Sequence, residues 1–342
     1  MENKYYHEEI VKFSHWREEY QETLYSFLEN EKICRKKERE KYITPLKYKT
    51  EPEKYRRDFI DMLGFPLNSE RTAPTLYKKE LVAEDGNVNI YRMQLLFFGE
   101  IKFYGIFFEQ KTDKEKAPFV IALHGGGGSA EVVGGMLPIP GSYNYLGRRI
   151  TDRGANVFCP QLLLWGNESY GATFDRNMVD GKLRQLGGSI TAIELYMLRG
   201  SIDYFLENEN MNAERVGAAG LSYGGMYTLL LSAIDTRIKS AYSSSWVNDC
   251  FVHSRPDWSY KGMQNKFTVT EIGALVAPRA LVVAMGTEDE LFDFKITEAV
   301  CEDIRAYYSE LGASTMLKTV IYPLNHVIDT EDTEIALLFE EL

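Results

Sequence analysis

Arg215-Val216-Gly217-Ala218-Ala219-Gly220-Leu221-Ser222-Tyr223-Gly224-Gly225 is the stretch whose reading decides the fold. A short apolar run enters a Gly-x-Ser-x-Gly turn and leaves into the helical pattern Met226–Ala233. Between a strand and a helix, such a turn is a nucleophile elbow. The chain reverses so sharply that the serine backbone is strained, and glycine on either side avoids collision with the adjoining strand and helix. The hydroxyl of Ser222 is then held above a sheet, at the N-terminus of a helix whose dipole favours negative charge.

Working outward, the runs Phe119–Leu123, Ala155–Cys159, Val216–Leu221, Ile238–Tyr242, Ala280–Met285 and Met316–Tyr322 are short and almost continuously apolar. Strands of a parallel sheet covered on both faces have that texture. Helical patterns alternate with them near 143–153, 189–207, 224–234, 295–311 and 333–341. Ahead of these, residues 77–83, 88–97 and 101–108 are β-rich and joined by Asp85-Gly86-Asn87 and Gly99-Glu100, which suit hairpins. The pattern predicts an α/β fold whose mostly parallel central sheet is flanked by helices and led by antiparallel strands.

Residues 1–75 differ and form an N-terminal helical extension to a domain spanning 76–342. Phe13, Trp16, Tyr20, Leu24 and Phe27 or Leu28 recur at helical spacing, which gives an amphipathic helix in need of a surface to cover. The mixed charges of Glu29–Lys41 read as a solvated helix face. Prolines at 45, 52, 66 and 74 predict an irregular approach to the main domain.

Composition limits the partners. Of 342 residues, 39 are Lys or Arg and 50 are Asp or Glu, a net charge of −11, and this acidic balance makes the chain a poor partner for nucleic acid and anionic lipid, so neither is expected to bind. No apolar stretch is long enough to span a bilayer, and Met1–Tyr6 lacks the core of a signal peptide, so the expected location is cytoplasmic. Cys34, Cys159, Cys250 and Cys301 show no metal-finger spacing and read as reduced thiols.

A serine nucleophile needs a base, an acid to orient it, and donors for the oxyanion. Glycines in His124-Gly125-Gly126-Gly127-Gly128, directly after a strand, let backbone N–H groups approach a substrate. Gly126 is expected to supply one donor and the amide of Tyr223 the other, while the ring of His124 fixes the loop. A phosphate-cradling loop is the weaker reading, since no Gly-Lys-Ser/Thr follows. Histidine follows the acid in this chain order. His326, just past the last predicted strand, is therefore preferred over His253. The acid is expected in Gly286-Thr287-Glu288-Asp289-Glu290, with Asp289 first and Glu288 second. Trp165 and Trp246 follow strand ends and are expected to wall the pocket, with 167–185 contributing a rim or lid.

Together with Ala277-Pro278-Arg279-Ala280-Leu281, with Gly286 to Phe292 and with Tyr322-Pro323-Leu324-Asn325-His326, these motifs resemble the α/β-hydrolase serine esterases of the dienelactone hydrolase and acetyl xylan esterase type. The resemblance covers about residues 77–342. It implies a carboxylic-ester hydrolase with Ser222, Asp289 and His326 as triad and with no metal or other cofactor. Its implied substrate is a small-molecule ester or an acetylated oligosaccharide; a homo-oligomer stays open. Two positions depart from the family. Dienelactone hydrolases carry cysteine where Ser222 stands, and Asp293 replaces a proline common after the acid. A peptidase on the same fold and a non-catalytic binding protein on this scaffold are the alternatives.

Overall fold

The computed structural model describes residues 5–111, 116–164 and 174–342. Among these residues, nine strands form one sheet in the order β1-β2-β3-β5-β4-β6-β7-β8-β9. The antiparallel leaders are β1 (Thr75–Asp85), β2 (Val88–Phe97) and β3 (Ile101–Gln110). The parallel strands are β4 (Ala117–Leu123), β5 (Asn156–Pro160), β6 (Met211–Leu221), β7 (Ile238–Ser244), β8 (Ala280–Gly286) and β9 (Leu317–Tyr322). β3 joins β5 antiparallel, which couples the two parts.

Successive side chains of a strand point to opposite faces, and both faces are covered here. Along β4, Phe119, Ile121 and Leu123 enter one apolar core, while Val120 and Ala122 enter the other. The larger core packs beneath the helices Ile190–Asn208, Tyr223–Ile234 and Phe294–Glu310. The smaller packs beneath Leu146–Asp152 and Thr333–Phe339. That double cover explains the near-continuous apolar strands. Among the described residues, no helix is long and apolar enough to cross a membrane.

The N-terminal region corrects one expectation. Over positions 45–63 the approach is helical, as α2 (Pro45–Thr50) and α3 (Pro52–Leu63) follow the long α1 (Ser14–Tyr42), and it is irregular only over 64–74, the part that holds Pro66 and Pro74. Pro45 and Pro52 each open a helix, where the missing N–H costs nothing and the fixed φ suits the turn. Tyr48, Tyr55, Phe59 and Leu63 from these helices belong to the main core, so this part of the extension is packed into the domain.

Candidate active site

At the end of β6, Ser222 has φ 60° and ψ −122°, a left-handed conformation that strains a side chain bearing a Cβ. Close packing enforces it. A Cβ on Gly220 would lie 2.5 Å from the Gly224 carbonyl carbon, and one on Gly224 would lie 2.1 Å from the Leu123 carbonyl oxygen. The Ser222 amide donates to the Ser244 carbonyl at 2.9 Å, and the Ser222 carbonyl accepts from the Met226 amide at 2.9 Å as the helix Tyr223–Ile234 begins. The turn is thus tied to β4, β7 and its own helix at once.

The loop after β4 forms one wall. His124 is fully buried, and its Nε2 accepts from the Leu162 amide at 2.9 Å and from the Gln161 side chain at 3.1 Å. With Nε2 an acceptor, the proton sits on Nδ1 and is donated to the Gly125 carbonyl at 2.9 Å. Burial lowers its pKa to about 4, so the ring is neutral near pH 7. Both nitrogens being engaged, His124 shapes the loop. The Gly125 amide donates to the Tyr143 hydroxyl at 2.8 Å, while Gly126 lines the pocket beside Ser222.

The loops after β8 and β9 form the opposite wall. Their backbones are stitched together: Thr287 donates to the Tyr322 carbonyl at 2.9 Å, and Glu288 donates to the Leu324 carbonyl at 3.0 Å. Asp289 Oδ2 lies 2.8 Å from His326 Nδ1. Its Oδ1 accepts from the amides of Leu291 at 2.9 Å and Phe292 at 3.2 Å. Burial pushes this carboxyl up, but the bond and charge of His326 and the two amides outweigh it and hold it below the usual carboxylate range. Glu288 is exposed, and the carboxylate on His326 is that of Asp289. The Ile328 amide donates to the Ser142 carbonyl at 2.8 Å, which links the His326 loop to the loop carrying Tyr143.

These elements meet around a pocket of about 370 Å³ whose lining includes Gly126, Tyr143, Ser222, Tyr223, Trp258 and His326. Of the two tryptophans expected in its wall, Trp165 lies outside the described residues. Trp246 requires a correction: it is 2% exposed and belongs to the core instead of the lining. Ser245, at φ 50°, turns the chain just before it, and the ring packs behind Trp258 with centroids 6.0 Å apart. Trp258 also stacks on Phe292, at 6.0 Å and 29°, and takes the wall position. Of the expected rim 167–185, residues 167–173 lie outside the described part, and Arg176–Gln185 is a helix.

Sequence reading missed a buried cluster beneath Tyr223. The Arg176 guanidinium meets Asp257 at 2.7 Å, Glu194 at 3.0 Å and the Tyr227 hydroxyl at 2.7 Å, and Tyr223 donates to Asp257 at 3.3 Å. Charges taken this far from water need such complete pairing. No local pattern joins positions 176, 194, 227 and 257, so only the tertiary fold reveals the cluster.

No family model matches the chain. It is 23% identical over 134 residues to a protein of Bacillus subtilis named "Putative hydrolase YtaP". That match takes in 37% of this chain and 45% of the relative, so the chain spans less than half of that protein's length. Among solved structures, a "putative acetyl xylan esterase" of Bacteroides fragilis superposes with a TM-score of 0.65 at 16% identity, over 82% of this chain and 76% of the other. A glucuronoyl esterase of Solibacter usitatus gives 0.62 at 15% identity, over 83% and 90%. At such identities the likeness concerns the fold, and what it establishes is that this chain has the α/β-hydrolase fold.

Proposed function

We propose that the protein is a serine carboxylesterase acting on small acyl esters, with acetyl esters of carbohydrates as the leading substrate class. The observation that carries this reading is the Asp289–His326 pair, 2.8 Å apart, on the same pocket as a left-handed Ser222. Held by Asp289 through Nδ1, the imidazole keeps Nε2 as the atom that takes a proton. Ser222 Oγ attacks the ester carbonyl while Nε2 accepts the hydroxyl proton, and the carbonyl π pair moves onto oxygen. The amides of Gly126 and Tyr223 stabilise that oxyanion, where one such donor contributes about 3–4 kcal/mol. Collapse expels the alcohol, which leaves with the proton from Nε2. Water, activated by the same nitrogen, then releases the acid and restores Ser222.

The carbohydrate preference is supported by the apolar wall that Trp258 and Phe292 give the pocket, against which the C–H groups of a sugar ring would pack. It is also supported by the fold shared with the acetyl xylan esterase-like protein of Bacteroides fragilis. The test compares the wild type with Ser222→Ala on p-nitrophenyl acetate, on acetylated xylo-oligosaccharides and on an aminoacyl p-nitroanilide. Acetate release by the wild type alone supports the proposal. Turnover of the anilide in place of the esters would make the protein a peptidase. Equal rates in wild type and variant would leave only a binding scaffold.

A further inference from the structure

Beside the catalytic pocket lies a second cavity. It measures about 580 Å³ against about 370 Å³ for the first, and the two share Tyr223 and Arg255. Tyr223 lines the pocket next to Ser222, and its hydroxyl donates at 3.3 Å to Asp257 in the wall of the second cavity. The Arg255 guanidinium lies 5.2 Å from the centre of the Trp258 ring, so it too reaches from one space to the other. A molecule seated at Ser222 and longer than the first pocket has its continuation past these two side chains. The second cavity is built before anything binds. Arg176 and Asn177 come from the start of the helix Arg176–Gln185, and Arg255 and Asp257 from the turn opposite. The buried Arg176–Asp257 pair, 2.7 Å apart, ties these sides together, and Arg184 from the same helix donates to the carbonyls of Pro256 and Ser259. A cleft fixed in this way pays little ordering cost when a ligand enters.

Its chemistry says what it takes. A lining of one sign would draw the opposite ion. Among the described residues, Asp175 and Asp257 stand against Arg176 and Arg255, so the lining carries no net charge and favours a neutral ligand. Phe174 and Tyr223 add apolar surface. Asn177 is exposed, and its amide, which offers two donors and an acceptor, has no partner among the described residues. The guanidinium of Arg255 offers donors side by side, a match for neighbouring hydroxyls. A neutral ring with hydroxyls on its edge and C–H groups on its faces satisfies all of these at once. We infer that this cavity is a second sugar subsite: the substrate is a neutral oligosaccharide of at least two units, with the acetylated unit at Ser222 and the next unit between Asn177 and Arg255. The inference rests on the esterase reading for the reaction, while the second subsite can be tested without it. Binding energy from such a remote unit is spent at the reacting centre, so a truncated substrate loses kcat/KM.

Hydrolysis of xylose, xylobiose and xylotriose, each acetylated at the same position of the terminal unit, tests this on the full chain. The wild type is expected to favour the disaccharide over the monosaccharide in kcat/KM by about tenfold or more, with little further gain from the third unit. Asn177→Trp, which fills the cavity from an exposed position, should bring that ratio close to one, and Asn177→Ala should lower it severalfold. Equal kcat/KM for mono- and disaccharide, with p-nitrophenyl acetate still turned over, overturns the inference and leaves the esterase reading intact. A disaccharide preference that survives Asn177→Trp overturns it as well. If no ester is hydrolysed, the esterase reading fails, and calorimetry of Ser222→Ala with unacetylated xylobiose decides the subsite alone. Binding about tenfold tighter than that of xylose, and lost on adding Asn177→Trp, upholds the subsite; equal affinities remove it. Tighter binding of a glucuronic acid-bearing xylobiose than of neutral xylobiose would overturn the neutral class.

Discussion

Two histidine loops flank Ser222, one after β4 and one after β9, and their difference separates a supporting ring from the ring proposed as the base. Both imidazoles are held through Nδ1, His124 by the Gly125 carbonyl and His326 by Asp289. His124 is wholly buried and its Nε2 is occupied by Leu162 and Gln161, whereas the His326 side chain is 21% exposed on the pocket. A carbonyl partner adds no negative charge, while a carboxylate stabilises the imidazolium that proton transfer creates. Residue type is therefore a poor guide to role. What the second nitrogen faces, and what charge backs the first, decides it.

Breaking the Asp289 side of this contrast should have the largest effect. Asp289→Asn is expected to lower kcat on p-nitrophenyl acetate by about 10⁴-fold with its fold intact, the cost of losing the orienting charge and tautomer in a triad. Circular dichroism should be unchanged.

The His124 side should appear in stability instead. Its pKa is about 4 in the fold and 6.5 as the ordinary value, so between these values the unfolded chain binds more protons. Its neutral, buried form is fully favourable above pH 6.5, and stability should fall as pH drops toward 4, by about 3 kcal/mol in all. Urea unfolding of wild type and His124→Asn across that window isolates the contribution: the variant should show a shallower decline. Parallel curves would remove His124 from the account.

A smaller effect is expected at Tyr143. Tyr143→Phe leaves the Gly125 amide without the hydroxyl it meets at 2.8 Å, and an unsatisfied buried donor costs about 1–3 kcal/mol. Since Gly126 follows directly, kcat should drop roughly tenfold with KM nearly constant. A rise in KM alone would place Tyr143 in substrate binding instead of loop support. Smallest of all, Glu288→Gln should leave kcat within about twofold, as surface changes do. A large loss there would shift the acid by one position.

The same contrast shows what sequence can and cannot carry. Gly220, Ser222 and Gly224 are legible because their constraints are local: the turn collides with itself unless those residues occupy those positions. The meeting of Asp289 with His326 is legible because each lies a few residues past the end of a strand, and those strands, β8 and β9, are neighbours in the sheet. Trp246 lies in the core because one left-handed residue, Ser245, turns the chain just ahead of it, and alternation along a strand does not forecast that.

From its sequence alone this protein has a determined strand–helix alternation, a strained serine turn and an ordered acid and histidine, since neighbouring residues and regular periods impose them. Tertiary structure alone decided that Trp258 walls the pocket, that Arg176 is buried with Glu194 and Asp257, and that α2 and α3 join the main core while half of α1 stays outside. Those outcomes depend on which surfaces meet across separations along the chain that run from 18 positions, Arg176 to Glu194, to 229, Tyr48 to Ala277. Burial and charge pairing settle them only once the sheet has brought the distant segments together.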